Sequence, residues 1–186
     1  MESIPTLTVI KEQTVKNSVP RIIGLTGFGR SGKDLSYTMG LEEQGYIRLG
    51  FADALKDELC EIHGITLDDI ANDKDTWRPK MVDHGGFRRT QNPRYWIDKV
   101  FSQIDPAKKY CITDVRYPNE VAEIQFFSGI VYQISRPGCG AANETEAETI
   151  AKIVAKYNPT KIINDMTPEI LGYRLWHAVN SKLRRS

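Results

Sequence analysis

The chain has 186 residues, of which 40% are apolar and 26% charged, and its 25 basic against 24 acidic side chains leave a formal net charge of +1. A length like this suits one compact domain able to bury roughly 70% of its unfolded surface, so neither disulfide nor metal is needed to hold it together. Balanced charge argues against a general nucleic-acid or membrane binder, which carries a basic excess.

Cys60, Cys111 and Cys139 are odd in number and widely spaced, and read as free thiols of a reducing compartment. No apolar run approaches the roughly 20 residues of a membrane span, and the N-terminus lacks a signal-peptide core. The expectation is a soluble, cytoplasmic protein.

Residues 1–20 are polar and irregular and predict a flexible extension, leaving 21–186 as a single domain. Residues 21–26 are β-rich and run straight into glycines. A helix follows over 31–43, a second strand over 46–52, and a helix over 53–63 stopped by Gly64. Residues 66–93 mix charge, proline and glycine, predicting short helical pieces such as 77–84; residues 94–103 look helical. Strand 109–113 ends on Asp114, helix 118–127 opens on a proline, and strand 129–135 leads to a loop over 136–143. A helix over 144–157, a short strand 161–163 and a helix from 168 to 183 complete the chain. Strands alternating with helices imply a parallel sheet of about five strands in a three-layer α/β/α domain, whose ligands gather at the carboxyl ends of the strands.

The sharpest motif is Gly27-Phe28-Gly29-Arg30-Ser31-Gly32-Lys33-Asp34, a G-x4-G-K sequence between a strand and a helix. Glycines let successive N–H groups turn inward around a phosphate, and the following helix directs its positive end at the anion. Lys33 would then bridge the β- and γ-phosphates of ATP. Asp34 stands where such loops carry Ser or Thr; it is either a magnesium ligand or an ordinary first-turn acid.

Asp53 and Lys56 follow the second strand. Asp53 either serves the reacting phosphates or caps a helix, and Lys56 either meets a phosphate or lies at the surface. Asp114, at the end of the third strand, is placed to order magnesium, with Arg116 able to grip a phosphate. Arg78, Lys80, Arg88, Arg89 and Arg94 with Trp77, Phe87, Tyr95 and Trp96 form a local basic and aromatic patch. It suits an acceptor phosphate, a solvated face, or a single-strand platform. Arg136, after the fourth strand, is either beside a nucleotide or a loop anchor. Glu120 at a helix start complements the dipole.

Taken in order, Gly27–Asp34, Phe51-Ala52-Asp53 with Lys56, Arg78, Gly85-Gly86 with Arg89, Pro93 with Trp96, Asp114-Val115-Arg116-Tyr117-Pro118-Asn119-Glu120 and Arg136-Pro137-Gly138 resemble the bacteriophage deoxynucleoside monophosphate kinases, over roughly residues 21–183. That family is in turn similar to the animal-type phosphomevalonate kinases. The resemblance implies a P-loop NTPase fold of the nucleoside monophosphate kinase kind. It would carry an acceptor-binding insertion at about 66–108 and a lid at about 137–149. Magnesium and ATP would be bound, and a nucleoside monophosphate would be phosphorylated to the diphosphate, with no nucleic-acid or membrane partner.

By the same resemblance Gly27, Gly29, Arg30, Ser31, Gly32, Lys33, Asp34 and Arg136 would hold ATP, and Asp34 and Asp114 the metal. Asp53, Lys56, Arg78, Arg88, Arg89, Trp96 and Arg116 would face the acceptor, with Lys33, Asp53 and Arg116 taking part in the transfer. A phage-encoded chain would work in the host cytoplasm. Leu35 stands where phage members often carry Thr, and Val82-Asp83-His84-Gly85-Gly86 departs from the usual stretch before Arg88, which leaves base and sugar open. Phosphomevalonate-type kinases and P-loop ATPases linked to nucleic acid remain alternatives, and a homodimer through the N-terminal arm is compatible with the sequence.

Overall fold

A computed structural model describes residues 20–181. The expected extension over residues 1–19 therefore lies outside the described residues. In chain order the elements are β1 (Ile22–Thr26), α1 (Lys33–Gly40), β2 (Tyr46–Leu49), α2 (Phe51–His63), α3 (Leu67–Asn72), α4 (Lys74–Gln91) and α5 (Tyr95–Phe101). They continue with β3 (Lys109–Val115), α6 (Pro118–Phe126), β4 (Ile130–Ser135), α7 (Glu144–Tyr157), β5 (Thr160–Ile163) and α8 (Pro168–Ser181).

The five strands form one sheet in the order β2-β3-β1-β4-β5, and every neighbouring pair is parallel. β1 is central, so the chain crosses to β2 and β3 on one side and to β4 and β5 on the other. The segment leaving β1 therefore emerges at the switch point of an open α/β sheet, where a crevice forms.

Strand alternation sorts the core into two layers. Ile22, Ile112 and Val131 face Phe51 and Ala54 of α2, Trp96 and Val100 of α5, Val121 and Ile124 of α6, and Ile150 and Ile153 of α7. Ile23, Leu25, Cys111, Tyr132, Ile134 and Ile162 face Tyr37 of α1 and Leu171, Leu175 and Val179 of α8. Each of these fully buried aliphatic side chains contributes about 1.5–3 kcal/mol against its exposed state. The result is the three-layer α/β/α domain that the alternation of elements predicts. Among the described residues no helix is long and apolar enough to cross a membrane.

Two local expectations are corrected. β2 ends at Leu49, not at residue 52, and α2 starts at Phe51 after the cap residue Gly50, so Asp53 sits in the first turn of α2 instead of at a strand end. The proline and glycines of residues 74–91 do not break the chain into pieces: α4 is one continuous helix through Pro79, Gly85 and Gly86. Tertiary contacts override local propensity here. The Trp96 indole N–H donates to the Gly85 carbonyl at 3.1 Å, and Leu55 packs where a Gly85 side chain would stand.

Candidate active site

The loop between β1 and α1 takes a conformation that its glycines alone permit. Gly27 has φ +133°, and a Cβ there would stand 2.1 Å from the Ile134 carbonyl oxygen. Gly32, at φ +99°, would put one 2.5 Å from Asn164 Nδ2. Asn164, at the end of β5, donates from that amide to the Ser31 carbonyl at 2.9 Å and so braces the loop from below. Lys33 Nζ donates to the Gly27 carbonyl at 2.7 Å and the Phe28 carbonyl at 2.8 Å. Burial first, then the nearby Arg116 guanidinium, lowers the Lys33 pKa, while Glu146, Asp34 and Asp114 oppose the shift. The buried hydroxyls of Thr26, Ser31 and Thr113 lack hydrogen-bond partners.

Three carboxylates lie beside this loop. Asp114, half-buried at the end of β3, accepts the backbone N–H groups of Phe51 and Ala52 at 2.9 and 2.7 Å. Burial raises its pKa against the pull of those N–H groups, and nearby Asp53 adds to the rise. A Cβ on Gly50 would lie 2.8 Å from Asp53 Oδ2 and 3.3 Å from Asp114 Oδ2, so the two acids converge over that glycine. Asp34 is exposed. Arg48, which the sequence reading did not single out, bridges Asp53 at 2.6 Å and Asp34 at 3.4 Å.

Among the described residues no group of three His, Cys, Asp or Glu forms a ready metal cage. A partial, all-oxygen donor set with a cation already drawn to it fits magnesium, which keeps several waters and takes phosphate oxygens into its shell.

Beside Gly29 and Asp114 opens a cavity of about 610 Å³. Its walls include Phe51, Ala52 and Leu55 of α2, Met81 and Val82 of α4, Trp96 and Tyr117, with Glu146 and Thr149 on the α7 side. Its cations are Arg78 and Arg89 of α4 and Arg116 after β3. The Arg89 guanidinium stacks over the Tyr117 ring at 4.3 Å and reaches Glu120 at 3.5 Å. Glu120 is 2% exposed and also accepts the Arg116 and Tyr117 backbone N–H groups at 2.7 and 3.0 Å. It is thus the common anchor of two arginines, where the sequence suggested a helix-dipole role. Arg78 makes no ion pair among the described residues.

Other candidates lie elsewhere. Lys56 pairs with Asp53 at 3.4 Å and is not in the cavity wall. Arg88 is a brace: its Nε donates to Glu58 at 2.7 Å, and its guanidinium lies over the Tyr95 ring. Glu58, on α2 and 4% exposed, also receives the Tyr95 hydroxyl at 2.6 Å, Lys99 Nζ at 2.5 Å and His84 Nε2 at 2.8 Å. That network pins α4 and α5 to α2. Arg136 is exposed and outside the cavity wall, and Arg30 is exposed with φ +63°. Glu146 of α7, buried beside Gly29, was not foreseen.

No protein-family model matches the chain, and no curated protein matches it. Among solved structures it is similar to TT1252 from Thermus thermophilus, with 18% identity over 89% of this chain and 99% of that one, at a TM-score of 0.44. A sugar kinase from Janibacter sp. HTCC2649, solved without ligand, is 15% identical over 88% of this chain and 98% of that one, at a TM-score of 0.40. Likeness of this degree carries nothing about activity.

Proposed function

We propose that this protein is a magnesium-dependent P-loop kinase that transfers the terminal phosphoryl group of ATP to a nucleoside monophosphate, with the deoxynucleotides as the favoured class. One observation carries this reading above the others: a cavity with aromatic and aliphatic walls and three arginines opens directly onto the glycine loop at Gly29. Its volume suits a mononucleotide, and arginines from α4 and from the segment after β3 suit an acceptor phosphate.

The Gly27–Asp34 loop and the α1 N-terminus cradle the ATP phosphates, and Lys33 leaves the Gly27 and Phe28 carbonyls to bridge the β- and γ-phosphates. Asp34 and Asp114 would hold magnesium, which would supply further neutralisation of phosphate charge. Arg78, Arg89 and Arg116 orient the acceptor phosphate. One of its oxygens attacks the γ-phosphorus in line; that P–O bond forms as the bond to the β,γ-bridging oxygen breaks, and ADP leaves with the electron pair.

An anionic acceptor needs no base, so Asp53 acts as an organiser of Arg48 and Lys56 rather than as a proton acceptor. Positioning and charge neutralisation supply most of the acceleration. Residues 66–108 form the acceptor-binding region and residues 137–149 the lid in this reading. Arg89→Ala tests it: the KM for the acceptor rises at least about tenfold while that for ATP stays within a factor of about two. Equal effects on both substrates would contradict the acceptor assignment.

A further inference from the structure

Glu146 lies in the first turn of α7 and is only 8% exposed. An acid at this position of a helix ordinarily folds back on the helix's own N-terminus. Here Asn143 caps the helix by accepting the Glu146 N–H at 2.9 Å, and the carboxylate spans from the segment just before the helix to the glycine loop. Oε1 accepts the Gly29 N–H at 3.2 Å and lies 3.7 Å from Arg116 Nη1. Oε2 accepts the Ala142 N–H at 2.7 Å, and the carboxylate's charge is felt at Lys33. A loop N–H and a guanidinium are the donor types with which such loops grip a phosphate. A carboxylate presents to them the same negative charge and acceptor oxygens.

We propose that Glu146 is an internal anion seated where the γ-phosphate of ATP binds, and that ATP must displace it whereas ADP need not. The proposal rests on the kinase reading above and names the group that regulates its nucleotide site. Two anions cannot share one half-buried set of donors without strong repulsion. Displacement frees Arg116 for the transferring group and releases Ala142, so occupation of the γ seat is reported to the 136–143 loop. After transfer the emptied seat lets the carboxylate return to Gly29. A brace without this role would behave oppositely, since loss of its charge would loosen the loop and weaken both nucleotides.

The test is calorimetric binding of magnesium ADP and of the magnesium complex of the non-hydrolysable β,γ-imido analogue of ATP, to wild type and to Glu146→Gln, without acceptor. Glutamine keeps an acceptor oxygen for Gly29 and drops the charge. The expected result is tighter binding of the triphosphate by about tenfold or more, with ADP affinity within about twofold. Unchanged or weaker triphosphate binding, with ADP binding intact, overturns the proposal alone. Binding of neither nucleotide by wild type overturns the kinase reading and the proposal with it. Should the variant not fold, hydrogen exchange of residues 140–147 in wild type decides. Exchange that differs between the two nucleotides supports displacement, and identical exchange overturns it.

Discussion

Asp114 accepts the Ala52 backbone N–H at 2.7 Å, which makes an acid at the end of β3 the cap of α2. Gly50, the residue at the cap position, has no side chain to do this, and Asp114 also takes the Phe51 N–H. Fold and site therefore meet in one carboxylate. Asp114→Ala should lower stability by about 1–2 kcal/mol, the usual cost of a lost cap, and turnover by about a hundredfold or more. Asp114→Asn keeps an acceptor for one N–H and should recover part of the stability but little of the turnover. Denaturant unfolding alongside ADP release separates the two effects.

Glu58 predicts an acid limb of stability. Burial pushes its pKa up, but hydrogen bonds from Lys99, Tyr95, His84 and Arg88 outweigh that and bring it to about 2. A depressed carboxyl pKa contributes stability that is fully present above the unfolded value of about 4.5 and is lost as pH falls from there towards 2. Unfolding free energy measured between pH 7 and pH 2.5 should fall more steeply in wild type than in Glu58→Gln. At pH 7, Glu58→Ala should cost about 3 kcal/mol, because four partners lose their acceptor, and it should raise the acceptor KM as α4 loosens.

Glu120 predicts the opposite sign near neutrality. Burial raises its pKa to about 7, against the Arg116 N–H and the Arg89 charge. A raised carboxyl pKa costs stability as pH climbs from about 4.5 to 7, while the anion formed there is the species that holds Arg89. Acceptor kcat/KM should therefore rise through pH 7 in wild type. In Glu120→Gln that rise should flatten, and unfolding should lose part of its pH dependence over the same interval. A pH profile unchanged by the substitution would separate Glu120 from the arginines.

Much of this arrangement is legible in the sequence because glycines, prolines and strand alternation act locally. Gly27 and Gly32 announce a loop that only they can make, and Pro118 opens α6 where a missing N–H costs little. What was not legible depends on pairs distant in the chain. Glu146 lies inside the helix expected over 144–157, and nothing local shows that it will reach Gly29, 117 residues away. Arg48 reads as an exposed strand residue until the fold brings Asp34 and Asp53 to it. Arg88 and Arg89 are adjacent in sequence, yet the helix sends one to Glu58 and the other to the cavity. Composition alone gave them the same role.

Release of ADP from magnesium ATP, measured against a panel of the four deoxynucleoside monophosphates, the ribonucleotides and phosphomevalonate with Lys33→Ala as control, addresses the central claim most directly. Strong stimulation by one or more deoxynucleotides, with formation of the diphosphate and its loss in Lys33→Ala, is the predicted result. Stimulation by phosphomevalonate alone would keep the chemistry and move the acceptor. ATP binding without stimulation by any acceptor would contradict the kinase assignment.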